Sequence, residues 1–237
     1  MEFKNSFQKI KSNGLYQGSL TRDYPDQPFP YGPSPICYWM KPESQTYREF
    51  LKESVKLDGL YLELGSFFGC GSTRDVLEVT NMNCICVDTF NTPHTYWGPN
   101  QQRNHRPQTN PPGQPLNSLS YFRGRGTQLE HFMNNTWEYR DRVVPVQCLT
   151  DLSVLETLRD AGVSPDLIFV DDDHSYGAVA LRLKFIAHHW PDALVVCDDY
   201  THHWPGVIRA VREALNQGLF SRAKSEELGP RLYKLQK

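Results

Sequence analysis

The stretch 167–174, Leu-Ile-Phe-Val-Asp-Asp-Asp-His, joins a short apolar run directly to three acids and a histidine. A second stretch of the same kind, 194–200, has the sequence Leu-Val-Val-Cys-Asp-Asp-Tyr. Apolar runs this short, bounded by polar residues, predict buried strands of a parallel sheet. Acids at the carboxyl ends of such strands lie where open α/β sheets bind their ligands.

The five aspartates at these two predicted strand ends indicate a site for a positively charged ligand. Like charges held close together repel unless something positive lies between them, and oxygen ligands suit Mg²⁺, Ca²⁺ or Mn²⁺. The alternative is that these acids cap the helices that follow the strands, as single aspartates commonly do. Because five of them fall at two adjacent strand ends, we favour a divalent-metal site.

Outward from these stretches, apolar strands alternate with helical patterns from residue 60 onward. This alternation predicts an α/β fold, namely a Rossmann-like, doubly wound, mostly parallel seven-stranded sheet with helices on both faces. A helix is predicted at 43–57, ahead of the first strand, and a closing pair of strands at 220–225 and 232–235.

Two segments fall outside this pattern. Residues 1–43 are rich in Tyr, Pro, Ser and Gly and are predicted to form an N-terminal arm ahead of a single domain at 44–237. Residues 91–118, rich in Pro, Asn and Gln, leave from the end of the second predicted strand, on the ligand side of the sheet. A connection this long predicts a lid-like loop, and an insertion without function is the alternative.

The composition argues against several classes of partner. A net charge of −2 without a basic run is not the pattern of a nucleic-acid-binding protein. No apolar stretch approaches the ~20 residues of a membrane span, and the first residues lack the apolar core of a signal peptide. Six scattered cysteines without zinc spacing indicate reduced thiols, so we expect a cytoplasmic location. A homo-oligomer is compatible with the sequence.

The turn after the first strand, 63–73, reads Glu-Leu-Gly-Ser-Phe-Phe-Gly-Cys-Gly-Ser-Thr, and its glycines let the backbone approach a ligand closely. Such a turn alone suits a dinucleotide, a phosphate or an adenosyl group. Asp88, at the end of the second strand, can accept hydrogen bonds from both ribose hydroxyls, and Glu63 would repel a phosphate. Together they favour S-adenosylmethionine over an ordinary turn with solvated acids.

These motifs resemble those of class I S-adenosylmethionine-dependent methyltransferases. Within that class the chain resembles the metal-dependent O-methyltransferases of the macrocin and mycinamicin type, which methylate hydroxyls of natural-product sugars. The first turn carries one residue more than the usual pattern, and the family commonly has glycine where this chain has Asp172. The resemblance covers roughly residues 59 to 237 and is carried by 63–73, 87–88, 171–176, 197–200, 206–207 and 210–211.

The resemblance implies methyl transfer from S-adenosylmethionine to a hydroxyl of a small molecule, with Mg²⁺ assistance. Asp171, Asp198 and Asp199 would hold the cation, which makes a hydroxyl easier to deprotonate. His174 would be the base, with Asp173 as its competitor. The residues assigned to the cofactor are Glu63, Gly65, Ser66, Phe67, Gly69, Ser72, Asp88, Thr89, Cys148 and Asp171.

Two other functions stay open at this point. The first is metal-dependent phosphoryl transfer or hydrolysis on the same sheet, which acid-rich strand ends also support. Against it, the first turn contains no lysine and no phosphate-binding loop. The second is a non-catalytic adenosyl-binding module, for which we would expect a damaged set of metal-binding acids, whereas all three are present.

Overall fold

The computed structural model describes residues 21–30, 41–54, 58–90, 109–110, 114–115 and 126–237. A 3-10 helix spans Trp137–Arg142. The helices are α1 (Lys41–Ser54), α2 (Ser72–Val79), α3 (Gln128–Asn135), α4 (Leu152–Asp160), α5 (Tyr176–His189) and α6 (Pro205–Asn216). The strands are β1 (Leu60–Leu64), β2 (Asn83–Asp88), β3 (Thr109–Asn110), β4 (Gln114–Pro115), β5 (Val143–Gln147), β6 (Leu167–Val170), β7 (Leu194–Cys197), β8 (Glu226–Glu227) and β9 (Tyr233–Leu235).

Seven strands form one sheet in the order β5-β2-β1-β6-β7-β9-β8. The first five are parallel to one another, and β9 and β8 continue the sheet in antiparallel pairing. This arrangement confirms the predicted Rossmann-like, mostly parallel seven-stranded sheet. Val170 of β6 pairs with Leu64 of β1 on one side and with Cys197 of β7 on the other. The residues that follow these three strands therefore meet at one edge of the sheet.

Both faces of the sheet are buried, which explains why β6 and β7 are continuous apolar runs. Ile168 packs on the face that is covered by α4, α5 and α6, and Phe169 packs on the opposite face, covered by α1, α2 and α3. All four residues of β6 are buried. The carboxyl ends of the strands are therefore held in place, since the sheet cannot move without disrupting the apolar packing on both of its faces.

Some predicted boundaries differ from the structure. The helix predicted at 43–57 is α1, which begins at Lys41 and ends at Ser54. The strand predicted at 220–225 is wrong, because those residues turn back after α6 and antiparallel pairing with β9 begins only at Glu226. Helix α3 was not predicted. Its start carries a capping box, in which the Thr127 hydroxyl accepts the N–H of Glu130 and the Glu130 carboxylate accepts the N–H of Thr127.

The structure describes only parts of the predicted N-terminal arm and of the predicted loop 91–118. Thr21 forms an antiparallel bridge with Val146 of β5, and the Tyr24 hydroxyl lies 2.6 Å from the Thr136 hydroxyl. The other residues of the arm before α1, 1–20 and 31–40, lie outside the described residues. Most of the predicted loop 91–118 does as well, and its described parts, β3 and β4, pair with each other. Its role as a lid stays a prediction. Across the described ranges, no helix is both long and apolar enough to pass through a membrane.

Candidate active site

The turn from β1 into α2 lies directly against the end of β6. Gly65 has φ +95°, and a Cβ atom at this position would lie 2.1 Å from the backbone oxygen of Asp171. The N–H of Gly65 donates to the carbonyl of Val87 at 2.8 Å, so the same residue also contacts β2. Only glycine combines this conformation with this approach, and the turn is therefore locked across three neighbouring strand ends.

Asp88, at the end of β2, holds the turn by hydrogen bonds to two backbone N–H groups. Its Oδ2 accepts the N–H of Phe67 at 2.8 Å and its Oδ1 accepts the N–H of Phe90 at 2.7 Å. Burial raises the pKa of Asp88 to about 6, against the lowering effect of these two hydrogen bonds. Phe67 and Phe90 have φ of +49° and +46°, a region that non-glycine residues rarely adopt. Backbone strain of this kind clusters at ligand sites, which agrees with the predicted ribose contact of Asp88.

Glu63 faces the interior of the turn. It is fully buried, and its carboxylate accepts hydrogen bonds from the hydroxyls of Tyr61 at 2.9 Å, Ser72 at 2.5 Å and Thr73. Burial raises the pKa of Glu63, against the effect of these hydroxyl donors. In this arrangement the carboxylate holds the start of α2 on β1. Its predicted contact with a cationic group of the cofactor stays a prediction.

The other positions assigned to the cofactor fall into two groups. Ser66, Gly69 and Ser72 are buried within the turn, and a Cβ on Gly69 would lie 2.7 Å from the Phe132 ring. The more accessible positions at the same edge are Phe67, Thr89 and Cys148. The N–H of Cys148 donates to the carbonyl of Asp88 at 3.0 Å, which places the end of β5 beside that of β2.

A cluster of two acids and a histidine occupies the next part of the edge. His174 Nε2 lies 2.8 Å from Asp199 Oδ2 and 3.3 Å from Asp171 Oδ1. One ligand atom from each of the three side chains lies within 4.8 Å of the others. Carboxylate oxygens suit Mg²⁺, so Asp171 and Asp199 fit a divalent cation, and His174 Nε2 lies beside both of them.

The charges of this cluster are strongly coupled. Burial would lower the pKa of His174, but its hydrogen bonds with Asp171 and Asp199 raise it to about 10. Burial raises the pKa of Asp171 to about 6, against the effect of His174. For Asp199 burial acts in the same direction, yet His174 and Arg231 outweigh it and keep its pKa below the usual value. The two carboxylates therefore favour the protonated form of the imidazole that lies between them.

The third predicted metal ligand, Asp198, lies to the side of this cluster. Its Oδ1 accepts the N–H of Asp199 at 2.6 Å and lies 3.9 Å from Nε of Arg231. Burial, followed by the charges of Asp171 and Asp199, raises the pKa of Asp198 well above its usual value. The structure thus brings two of the three predicted ligands together with His174. The contribution of Asp198 to a metal site stays a prediction.

Trp204 and the start of α6 hold His174 in place. The Trp204 ring stacks on the imidazole with 4.4 Å between centroids and 26° between planes. A Cβ on Gly206 would lie 2.5 Å from the backbone oxygen of His174, so α6 begins in direct contact with this segment. Asp173 is exposed and its Oδ1 accepts the N–H of Ser175 at 2.8 Å, next to the start of α5. This geometry favours His174 over Asp173 as the residue that faces a ligand.

Asp172 has a structural role. Its carboxylate is buried, pairs with Arg182 of α5 at 2.6 Å, and accepts a hydrogen bond from the Thr150 hydroxyl. These contacts join α5 to the loop after β5.

Arg231, which contacts Asp199, Asp198 and Glu43, was not predicted, because a single arginine before the last strand forms no local pattern.

No model of a known protein family matches the chain, and no curated protein matches it either. Solved structures do match. CalS11, a TDP-rhamnose 3'-O-methyltransferase of calicheamicin biosynthesis, aligns over 86% of this chain and 87% of its own with a TM-score of 0.51 and 17% identity. Precorrin-6y C5,15-methyltransferase from Geobacter metallireducens GS-15 aligns over 87% and 92% with a TM-score of 0.50 and 11% identity. The chain therefore shares the fold of these methyltransferases.

We predict that Gly65→Ala destabilises the protein. The new methyl group must displace backbone at the end of β6, and overpacking of this kind costs ~1–3 kcal/mol before the strain of positive φ is added. Thermal and urea unfolding measure the change. The matched control is Gly177→Ala in α5, where a Cβ meets nothing within 4 Å and alanine is the better helix former. Equal stability of the two variants would contradict the close contact between Gly65 and Asp171.

Proposed function

We propose that the protein transfers a methyl group from S-adenosylmethionine to a hydroxyl of a small molecule, with the help of a divalent cation such as Mg²⁺. One observation carries this proposal. The glycine turn with Asp88 and the cluster of Asp171, His174 and Asp199 occupy the ends of four adjacent parallel strands, β2, β1, β6 and β7. Methyl transfer requires such neighbouring sites, because the donor and the acceptor must be held in line with each other.

The fold supports the same reaction. The two solved structures described above are methyltransferases, and CalS11 is a TDP-rhamnose 3'-O-methyltransferase. A sugar or a related natural product is accordingly our first choice of acceptor. The phosphoryl-transfer alternative has less support, since the buried Glu63 and the absence of a lysine in residues 63–73 disfavour a phosphate at this turn.

Each group of residues has its own part in this proposal. S-adenosylmethionine would supply an electrophilic methyl group, and the cation would supply positive charge that makes a nearby hydroxyl more acidic. Asp88 would accept hydrogen bonds from the ribose hydroxyls. Asp171 and Asp199, with Asp198 as the third predicted ligand, would hold the cation.

His174 would accept the hydroxyl proton at Nε2, the ring nitrogen that faces both carboxylates. The hydrogen bonds with Asp171 and Asp199, followed by the charges of these two acids, raise the pKa of this imidazole to about 10. With a cation on the same two carboxylates, His174 would lose most of that effect and could accept a proton near neutral pH. Trp204 stacks on the ring and would keep Nε2 directed at the site.

The proposed function is tested by incubating the protein with S-adenosylmethionine and a panel of nucleotide-linked sugars, free sugars, phenols and catechols. Release of S-adenosylhomocysteine is measured with Mg²⁺ and with excess chelator. We expect turnover of at least one hydroxyl acceptor, loss of turnover on chelation, and recovery when Mg²⁺ is restored. Failure of S-adenosylmethionine to bind in calorimetry would sink the proposal, and full turnover in excess chelator would remove the cation from it.

The ribose contact makes a separate prediction. Asp88→Asn should lower the affinity for S-adenosylmethionine at least about tenfold, because hydrogen bonds to a charged acceptor contribute ~1.5–3 kcal/mol each. Calorimetry on the folded variant measures this change. Asp192→Asn, at an exposed acid in the turn before β7, is the control and should bind normally. An unchanged affinity in Asp88→Asn would show that the ribose does not contact this side chain.

The assignment of the base makes another prediction, measured with an acceptor from the panel. His174→Ala should lower turnover by roughly 10²–10⁴, the usual scale for loss of a general base, and leave the affinity for S-adenosylmethionine unchanged. Asp173→Asn should have a smaller effect, since this exposed carboxylate is directed at the backbone of Ser175. A larger loss in Asp173→Asn than in His174→Ala would exchange the two roles.

A further inference from the structure

Arg231 connects three carboxylates that come from two distant parts of the chain. Its Nη1 lies 3.3 Å from Glu43 Oε1, its Nη2 contacts Asp199 Oδ1, and its Nε lies 3.9 Å from Asp198 Oδ1. Glu43 is buried in the first turn of α1, and the two aspartates follow β7. The contact with Asp199 is a hydrogen bond, whereas those with Glu43 and Asp198 are ion-pair contacts, so the guanidinium lies close to three different acids.

The backbone around Arg231 is held as well. Its carbonyl accepts the N–H of Tyr200 at 2.9 Å, and the next residue, Leu232, is fully buried. On the other side, a Cβ on Gly229 would lie 2.9 Å from the Thr46 side chain, so this loop is packed tightly against α1. The guanidinium is thus presented from a fixed position, and not from a mobile chain end.

The two carboxylate oxygens of Asp199 have different partners. Oδ1 is taken by Arg231, which leaves Oδ2 directed at His174, 2.8 Å away, on the side where Asp171 also lies. Asp199 has φ +56°, a strained conformation that needs support from its surroundings. Without the guanidinium, only His174 would hold the carboxylate, and Oδ1 would have lost the contact that fixes its direction.

We propose that Arg231 is the positioning residue that orients Asp199 towards the Asp171–His174 side of the cluster, with Glu43 of α1 as its fixed anchor. Arg231 acts through Asp199 and itself contacts neither cation nor acceptor. The role depends on the planar, forked guanidinium, since the ammonium of a lysine is a point charge on a flexible stem and does not hold its partners in a fixed geometry. The effect of Arg231 on cation binding rests on the proposed function. Its effect on the orientation of the Asp199 carboxylate does not depend on that function.

The decisive variant is Arg231→Lys, which keeps the charge and removes the fork. Mn²⁺ serves as the probe, and its affinity is measured by electron paramagnetic resonance. We expect a loss of about 10–100-fold, the usual scale when a residue that orients a metal ligand is replaced. Glu43→Gln should shift the affinity in the same direction, because it removes only the anchor. Arg159→Lys, at an arginine of similar exposure that pairs with Asp160 on α4, should have no effect.

A second readout separates positioning from general damage to the fold. Calorimetry should show unchanged affinity for S-adenosylmethionine in all three variants, since Asp88 and the glycine turn make no contact with Arg231. Crystals of metal-free Arg231→Lys should show the distance from Asp199 Oδ2 to His174 Nε2 lengthened from 2.8 Å to beyond about 3.5 Å, the limit of a hydrogen bond.

The outcomes decide the inference in each case. Unchanged Mn²⁺ affinity in Arg231→Lys, or an equal loss of Mn²⁺ and S-adenosylmethionine affinity, would overturn it. If the unmodified protein binds no Mn²⁺, the cation leaves the proposed function, and the metal-free crystals decide alone. A retained 2.8 Å contact in Arg231→Lys then refutes the positioning role, and a lost contact supports it.

Discussion

Repulsion between buried carboxylates at the ends of β6 and β7 is the constraint on which the rest of this structure depends. The pairing of Val170 with Cys197 forces the acids that follow these strands into one place. Charges taken out of water are costly unless opposite charges compensate them, and removal of a partner from such a group is correspondingly expensive. His174 and Arg231 supply that compensation, one on each oxygen of Asp199.

The compensating charges come from elements far apart in the chain. His174 is held by Trp204 and by the start of α6, and Arg231 is held between α1 and the last strand. The geometry of the site therefore depends on the packing of α1, α6 and the last strand. Two acids of the site, Asp171 and Asp198, have pKa values that are raised by burial. The divalent cation of the proposed function would add positive charge beside them.

The glycine turn and the acidic cluster form one connected unit. The close approach of Gly65 to the backbone of Asp171 joins the turn that precedes α2 to the first acid of the cluster. Three strained residues, Phe67, Phe90 and Asp199, lie along the same edge. Such conformations persist only where surrounding contacts determine them. The geometry of a donor site relative to an acceptor site would thus be set by the backbone of the sheet edge and not by mobile side chains.

The sequence by itself determined the parallel sheet, because buried strands must be continuous apolar runs and their ends must carry the polar groups. It also determined which acids lie at the edge and that His174 lies beside them. Only the tertiary structure decided the contacts of these acids, since the partners of Glu63, Asp172 and Asp198 depend on the direction of each side chain. Arg231 and Glu43 lie near opposite ends of the domain in the sequence, and no local periodicity encodes a contact between residues so far apart in the chain. Long-range packing alone brings these two residues together.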